Sequence, residues 1–297
     1  MLHLRRQGLG RVSTTTARSK ALKGIKATPF FVLLVLLALL WGAPLLWMLV
    51  TSLKHEWTIL TPRVSWIPNP PTLANYHELI DPARAVNIFN SFKTSLIAAV
   101  SYTLLVLTTS SFAAFVFARL EFRGRNFLFL VVLSSIMVPS DTLMVPLYLL
   151  MYKMNWLDTY MALVLPGIGN AFGVFLLRQF MVSIPKELQE AALVDGAGYF
   201  YIFLRIIIPL SKPALATLAI FSFITNWNSF LWPLIVVSSD DMMTLPMALV
   251  QFRSSYASMD YGVVMASVMV AVLFPLLVFF FAQDFIIKGM SRTGLKG

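Results

Sequence analysis

IPKELQEAALVDGAGYFYIFLRIIIP, residues 184–209, is the stretch on which the fold turns. It carries polar residues, and long apolar runs flank it on both sides. A connection of about thirty residues between membrane spans exceeds what a tight turn needs, and connections of that length commonly carry function. The pattern predicts two short helices. Pro185 can open the first, with Lys186, Glu187 and Glu190 on its polar side and Ala191 and Ala192 as strong helix formers. Gly196 and Gly198 are expected to break it, because glycine reaches φ > 0 at little cost. A second amphipathic segment runs over 199–208, and Pro209 limits its continuation. Two helices about a glycine turn make a compact knob, and small side chains at its tip would let another protein's backbone come close.

Seven positions in this stretch have a fixed spacing over twenty residues: Glu190, Ala191, Ala192, Gly196, Ile206, Ile208 and Pro209. In that spacing the stretch resembles the EAA loop of ABC-transporter permeases of the binding-protein-dependent importers. Ile208 stands where the pattern has Leu, an aliphatic exchange of similar volume that docking should tolerate. Outside the loop, Pro71-Thr72-Leu73-Ala74-Asn75-Tyr76, Asn90-Ser91, residues 254–262 and the glycine-rich basic tail are similar to the carbohydrate-uptake branch, in particular its smaller, maltose-type permease subunits. The resemblance runs from about residue 29 to the end. It implies an all-α integral membrane protein with six transmembrane helices, the type I ABC-importer permease fold. It also implies two ATP-binding-cassette ATPase subunits, a second and different permease subunit, and an extracytoplasmic solute-binding protein as partners. The same resemblance gives the motif residues the role of coupling to the ATPase, makes the cargo a sugar or oligosaccharide, and places the chain in the cytoplasmic membrane of a prokaryote.

The composition leads to a membrane independently. Hydrophobic residues make up 58% of the 297 and charged residues 12%. Several apolar runs reach the ~20 residues that cross a ~30 Å hydrocarbon core. Spans are expected at about 29–50, 92–117, 127–150, 161–181, 213–237 and 262–283. With the N-terminus inside, seventeen of the 23 Lys and Arg fall on the cytoplasmic side and six outside. The net charge of +10 thus records topology, and no nucleic-acid partner is expected. Both termini and the 184–209 loop are then cytoplasmic. The domain plan is a basic N-terminal segment over 1–28, rich in Ser and Thr and expected to be mobile, and a first span over 29–50. An external segment (51–90), a permease core (91–284) and a cytoplasmic tail (285–297) follow. The run over 29–50 is too long for a secretory h-region and is read as a retained span.

Little in the chain suggests its own chemistry. It has no Cys, and its three histidines, His3, His55 and His77, are scattered, so neither a metal site nor a cofactor is expected. No Gly-x-x-x-x-Gly-Lys-Ser/Thr loop is present, so the energy source is expected on another chain and the protein is not expected to be an enzyme. Asp141 is the clear acidic residue within a predicted span, thin support for ion coupling by a secondary transporter acting alone. An importer of glycerol phosphate esters is a further rival, with no arginine cluster in the spans to hold a phosphate. Asp141 has two readings, a polar lining of the pathway near its outer mouth or a solvated group at the outer interface. Asn226, Trp227 and Asn228 would suit a sugar, an aromatic face for the ring and amides for hydroxyls, or helix–helix hydrogen bonding and packing. Asn170 carries the same two readings. The methionines Met242, Met243, Met247, Met259, Met265 and Met269 read as packing.

Overall fold

The protein is described from a computed structural model, over residues 13–61, 65–81, 87–255 and 260–291. Met259, Arg63, Arg84, residues 1–12 and the end of the tail lie outside the described residues. Every regular element among the described residues is helical. Among the described residues three helices are long and apolar enough to cross a membrane: Phe30–Ser52, Ile88–Arg119 and Tyr261–Phe281. Three further helix pairs meet that test only jointly, bent by 92° (Arg125–Met137 with Ser140–Lys153), 50° (Tyr160–Gly167 with Ala171–Val182) and 79° (Tyr199–Leu210 with Lys212–Trp227). The expected third and fourth spans are therefore broken helices. Pro139 and Gly169 stand at the two breaks, where a missing N–H and a missing side chain weaken the ladder.

Residues 13–28, in the segment read as mobile, form the opening turns of one helix, Ser13–Ser52. Ala17, Ala21, Leu22 and several lysines favour helix, and extending an existing helix costs little once its nucleus has formed. Along Phe30–Trp41 the side chains stay exposed, as lipid-facing residues do, and the helix becomes buried only at its end, at Thr51 and Ser52.

The Ile88–Arg119 helix is the central strut. It packs on Ala171–Val182 and on Lys212–Trp227, and the latter packs on Tyr261–Ser291. Its buried stripe steps by three and four: Ser91, Ser95, Ala98, Tyr102, Val106, Ser110 and Ala114. Small residues dominate that stripe, which suits a membrane, where association depends on close van der Waals fit more than on exclusion of water. The fit is tightest at Gly173. A Cβ there would lie 2.7 Å from Ser110 Oγ and about 3.0 Å from Leu218, so three helices meet over a missing side chain.

Polar clamps hold both ends of this bundle. At one end the buried Arg119 guanidinium donates to the carbonyls of Met181 and Ile184, the latter at 2.7 Å. Arg178 Nε donates back to Phe117 O at 3.3 Å. Each arginine thus meets carbonyls near the other helix's C-terminus, where the dipole favours a cation. At the opposite end Asp158 accepts the amides of Ser238 (3.0 Å) and Ser239 (3.1 Å), while its own amide donates to Val236 O. Nearby, Asn75 Nδ2 ties down the carbonyls of Ser52 and Lys54, both at 2.8 Å.

Candidate functional site

The 184–209 stretch folds as an elbow. Its first arm is Glu187–Val194, with Glu187 and Glu190 in the first turn, where negative charge suits a helix N-terminus. The arm ends in a Schellman motif. Gly196 has φ +82°, its amide donates to Leu193 O, and the amide of Ala197 donates to Ala192 O at 2.9 Å. Gly196 therefore breaks the helix as expected. Gly198 does so by another route, with φ −75° and ψ 159°, an extended conformation open to any residue, from which the second arm begins.

That arm is Tyr199–Ile202 followed by a π-helical turn, Phe203–Ile207, and a short continuation, Ile208–Leu210. The wide turn carries the chain past Pro209: the amide of Ile208 bonds five residues back to Phe203 O, so the coil is already relaxed where the ring would crowd a tighter turn. Proline does not stop the arm there, and the sharp bend comes two residues later, at the fully buried Ser211. Ile202, Phe203 and Ile207 are buried. The Phe203 ring stacks on Phe112 (4.7 Å between centroids) and leans on Phe115 (5.1 Å), both on the central strut. The arm is fixed to the strut through these rings, and the elbow's entry is fixed to it through Arg119.

The tip faces outward. Glu190, Ala191, Gly196 and Pro209 are exposed, while Ala192, Ile206 and Ile208 are half-buried. Val194 is 87% exposed, and Phe200 and Tyr201 are also uncovered, an apolar tip on a loop of polar flanks. A hollow of about 600 Å3, lined by Ala192, Gly196, Tyr201, Arg205 and Ile206, lies at the inner angle of the elbow.

A second feature lies where the other helices break. A cavity of about 560 Å3 is bordered by Ser140 and Asp141 at the 92° bend and by Pro166 and Gly167 before the 50° bend. Asn228 and Ser229, beyond the end of Lys212–Trp227, complete the border. Non-helical backbone at membrane depth is tolerated where it is buried in protein or lines a wet cavity, and interrupted helices are pointers to transported cargo. Asp141 and Asn226 both line this cavity, and Asn228 is exposed in it. The Asn226 amide also reaches Leu163 O at 3.4 Å.

Two expected residues are placed elsewhere. Trp227 is 2% exposed, donates to Ala271 O, and sits among Phe92, Phe223 and Phe274 with ring centroids 5.0–5.6 Å away. It borders a separate apolar groove beside Pro275 and packs helices together. Asn170 caps Ala171–Val182, its Oδ1 accepting the Gly173 amide at 2.7 Å. Tyr102, Phe230 and Trp232 also line the cavity; Phe230 and Trp232 follow closely on Asn228 in the sequence, whereas nothing local in Ser101-Tyr102-Thr103 marks Tyr102. Arg119 reads in sequence as a topological charge, and its clamp on the elbow's entry emerges only from the fold.

Helices interrupted around a cavity, together with an elbow whose tip is exposed, are the arrangement expected of a transport permease. The chain belongs to the family of binding-protein-dependent transport system inner membrane components, which it matches over residues 107–292. It is 35% identical to the arabinooligosaccharides transport system permease protein AraQ of Halalkalibacterium halodurans, over 86% of this chain and 91% of that protein. It is 34% identical to the lactose transport system permease protein LacG of Rhizobium radiobacter, over 83% and 88%. Its fold is also that of a chain in the crystal structure of a bacterial ABC transporter involved in the import of the acidic polysaccharide alginate, with TM-score 0.75 and 22% identity over 91% of this chain and 98% of that one.

Proposed function

We propose that this chain forms half of the pathway of an ATP-driven importer that carries a sugar or oligosaccharide across the cytoplasmic membrane of a prokaryote. It contributes six spans: the three long helices, the two helix pairs broken at Pro139 and Gly169, and the segment over about 213–237, with both termini and the elbow cytoplasmic and residues 51–90 outside. Two ATP-binding-cassette subunits take the elbow, with Glu190, Ala191, Ala192 and Gly196 at the contact and Ile206, Ile208 and Pro209 shaping the arm behind it. A second permease subunit completes the pathway, and an extracytoplasmic solute-binding protein delivers the cargo. Hydrolysis takes place on the partner chains, and this chain performs no catalysis.

The observation that carries the reading is the elbow: an exposed motif tip joined to the central strut by Phe203 and Arg119. Displacement of the tip by closing ATPase subunits would pull on the Ile88–Arg119 helix, which borders the cavity through Tyr102. Rigid-body rocking of packed helices would then open the cavity to one side and close it to the other. The oligosaccharide and lactose permeases among the relatives support a carbohydrate cargo. The decisive experiment replaces Glu190 with Lys in the tagged, membrane-inserted chain and measures co-purification of its ATPase. Insertion should be unchanged and the ATPase yield should fall at least tenfold. Full recovery of the ATPase would remove Glu190 from the contact.

A further inference from the structure

Polarity in the cavity at the helix breaks comes from uncharged groups, and its charge comes from one side chain. Ser140, Asn226, Asn228 and Ser229 bring neutral donors and acceptors, and Phe230 and Trp232 bring aromatic surface. Asp141 is the one charged residue among the described residues that line it, and no Lys, Arg or His joins it there. The carboxylate of Asp141 accepts from Ser140 Oγ at 3.3 Å and takes part in no ion pair among the described residues. Arg119 and Arg178 are committed to backbone carbonyls at the far end of the bundle.

We propose that Asp141 is a specificity-determining residue that sets the charge class of the cargo, admitting uncharged or amine-bearing saccharides and turning away those that carry carboxylate, sulfate or phosphate groups. The proposal rests on the carbohydrate-permease reading above and adds the sign of the cargo to it. An anionic sugar entering this cavity meets a like charge with no cation among the described lining residues to offset it. The repulsion grows as the walls exclude water, because the effective dielectric falls. Neutral hydroxyls instead find amides, hydroxyls and aromatic faces. Discrimination by a repulsive element is an economical route to specificity, since one group suffices to reject a whole class. The fold neighbour that imports alginate carries an acidic polysaccharide, so the shared architecture leaves the sign of the cargo to local residues of this kind.

The absence of cysteine from the chain makes the test direct. In the complete transporter in lipid nanodiscs, Ser229→Cys places one thiol of this chain in the cavity. Its modification is followed by the mass of this chain, with two methanethiosulfonate reagents, one carrying a trimethylammonium group and one a sulfonate. Each rate is divided by the reagent's rate with free 2-mercaptoethanol. The cationic reagent should be favoured at least tenfold, Asp141→Asn should bring the ratio close to one, and Asp141→Lys should invert it. A ratio near one in the parent, a ratio untouched by Asp141→Asn, or a thiol inert to both reagents would overturn the proposal. Uptake in intact cells separates the two readings. With arabinotriose, lactose and chitobiose against an alginate trisaccharide, uptake of a neutral sugar alone agrees with both. Entry of the alginate trisaccharide sinks the charge assignment while leaving a sugar permease standing. No saccharide uptake at all sinks the permease reading, and the thiol ratio still reads the charge.

Discussion

The elbow is folded from consecutive residues, whereas the cavity is put together from three helix breaks far apart in the chain. In the elbow, local chemistry decides the shape: acidic residues in the first turn, Gly196 at φ +82°, a wide turn ahead of Pro209. Around the cavity, Ser140, Gly167 and Asn228 become neighbours only through the packing of helices distant in the chain. The elbow is thus specified locally and anchored by a few strong contacts. The cavity is specified by packing. Mutations should separate the two accordingly, with damage to the bundle removing both and damage to the elbow leaving the cavity intact.

The largest effect is expected at Gly173. Valine there would drive carbon into Ser110 Oγ and Leu218, and overpacking of this kind costs about 1–3 kcal/mol. The folded fraction in detergent, read by size-exclusion profile and thermal melt, should fall markedly. An unchanged melt would mean that the three helices do not meet as described. Gly196→Val comes next. A β-branched residue at φ +82° is strained by about 1–2 kcal/mol, so the elbow should distort while the bundle survives. ATP-dependent uptake should fall at least tenfold with an unaltered melting profile, and full transport would refute this account of the turn.

Arg119→Gln should act on both regions at intermediate strength. It leaves the carbonyls of Met181 and Ile184 short of their charged donor, about 1–3 kcal/mol for buried groups. Proteolysis should then cut the 184–209 loop faster than in the parent, with a modest drop in melting temperature. Equal cleavage rates would show that the clamp does not hold the elbow. Asp158→Asn should be smallest. Burial raises the Asp158 pKa, but the amides of Ser239 and Ser238 outweigh it and hold the carboxylate below its ordinary value of 3.8. A group with a lowered folded pKa contributes its stability above the unfolded pKa and loses it as pH falls through the lowered one. The parent should therefore lose a small increment of stability on acidification below about pH 4 that the Asn variant lacks, measured as the difference between their melting temperatures. Parallel acid profiles would dismiss the latch.

What could be read ahead of the fold follows the same division. The motif spacing and the glycine turn were legible because they lie within twenty consecutive residues. The breaks in the third and fourth spans carry local signals, Pro139 and Gly169, yet apolar runs through them look continuous to a hydropathy pattern. Trp227 beside two asparagines has the composition of a sugar platform, and its burial among Phe92, Phe223 and Phe274 depends on a helix dozens of residues away. Asn170 is another such case: an amide before an apolar helix serves as a cap as readily as a ligand. Arg119 and Arg178 count toward sidedness in the sequence, and only the parallel approach of their two helices, which brings both C-termini together, makes them reciprocal clamps. Residues 13–28 carry no helix signal in the basic, Ser- and Thr-rich reading, and the adjoining helix supplies the nucleus for their turns.

The five-residue spacing at Phe203–Ile207 also fixes an angular bookkeeping on the polypeptide. One surplus residue in a turn rotates whatever follows by about 100° about the axis. Deleting a residue there would keep the coil but turn a different stripe toward Phe112, and Lys212–Trp227 would set out on another bearing. Length in this short tract is therefore as constrained as identity, and a one-residue indel should be harsher than most substitutions within it.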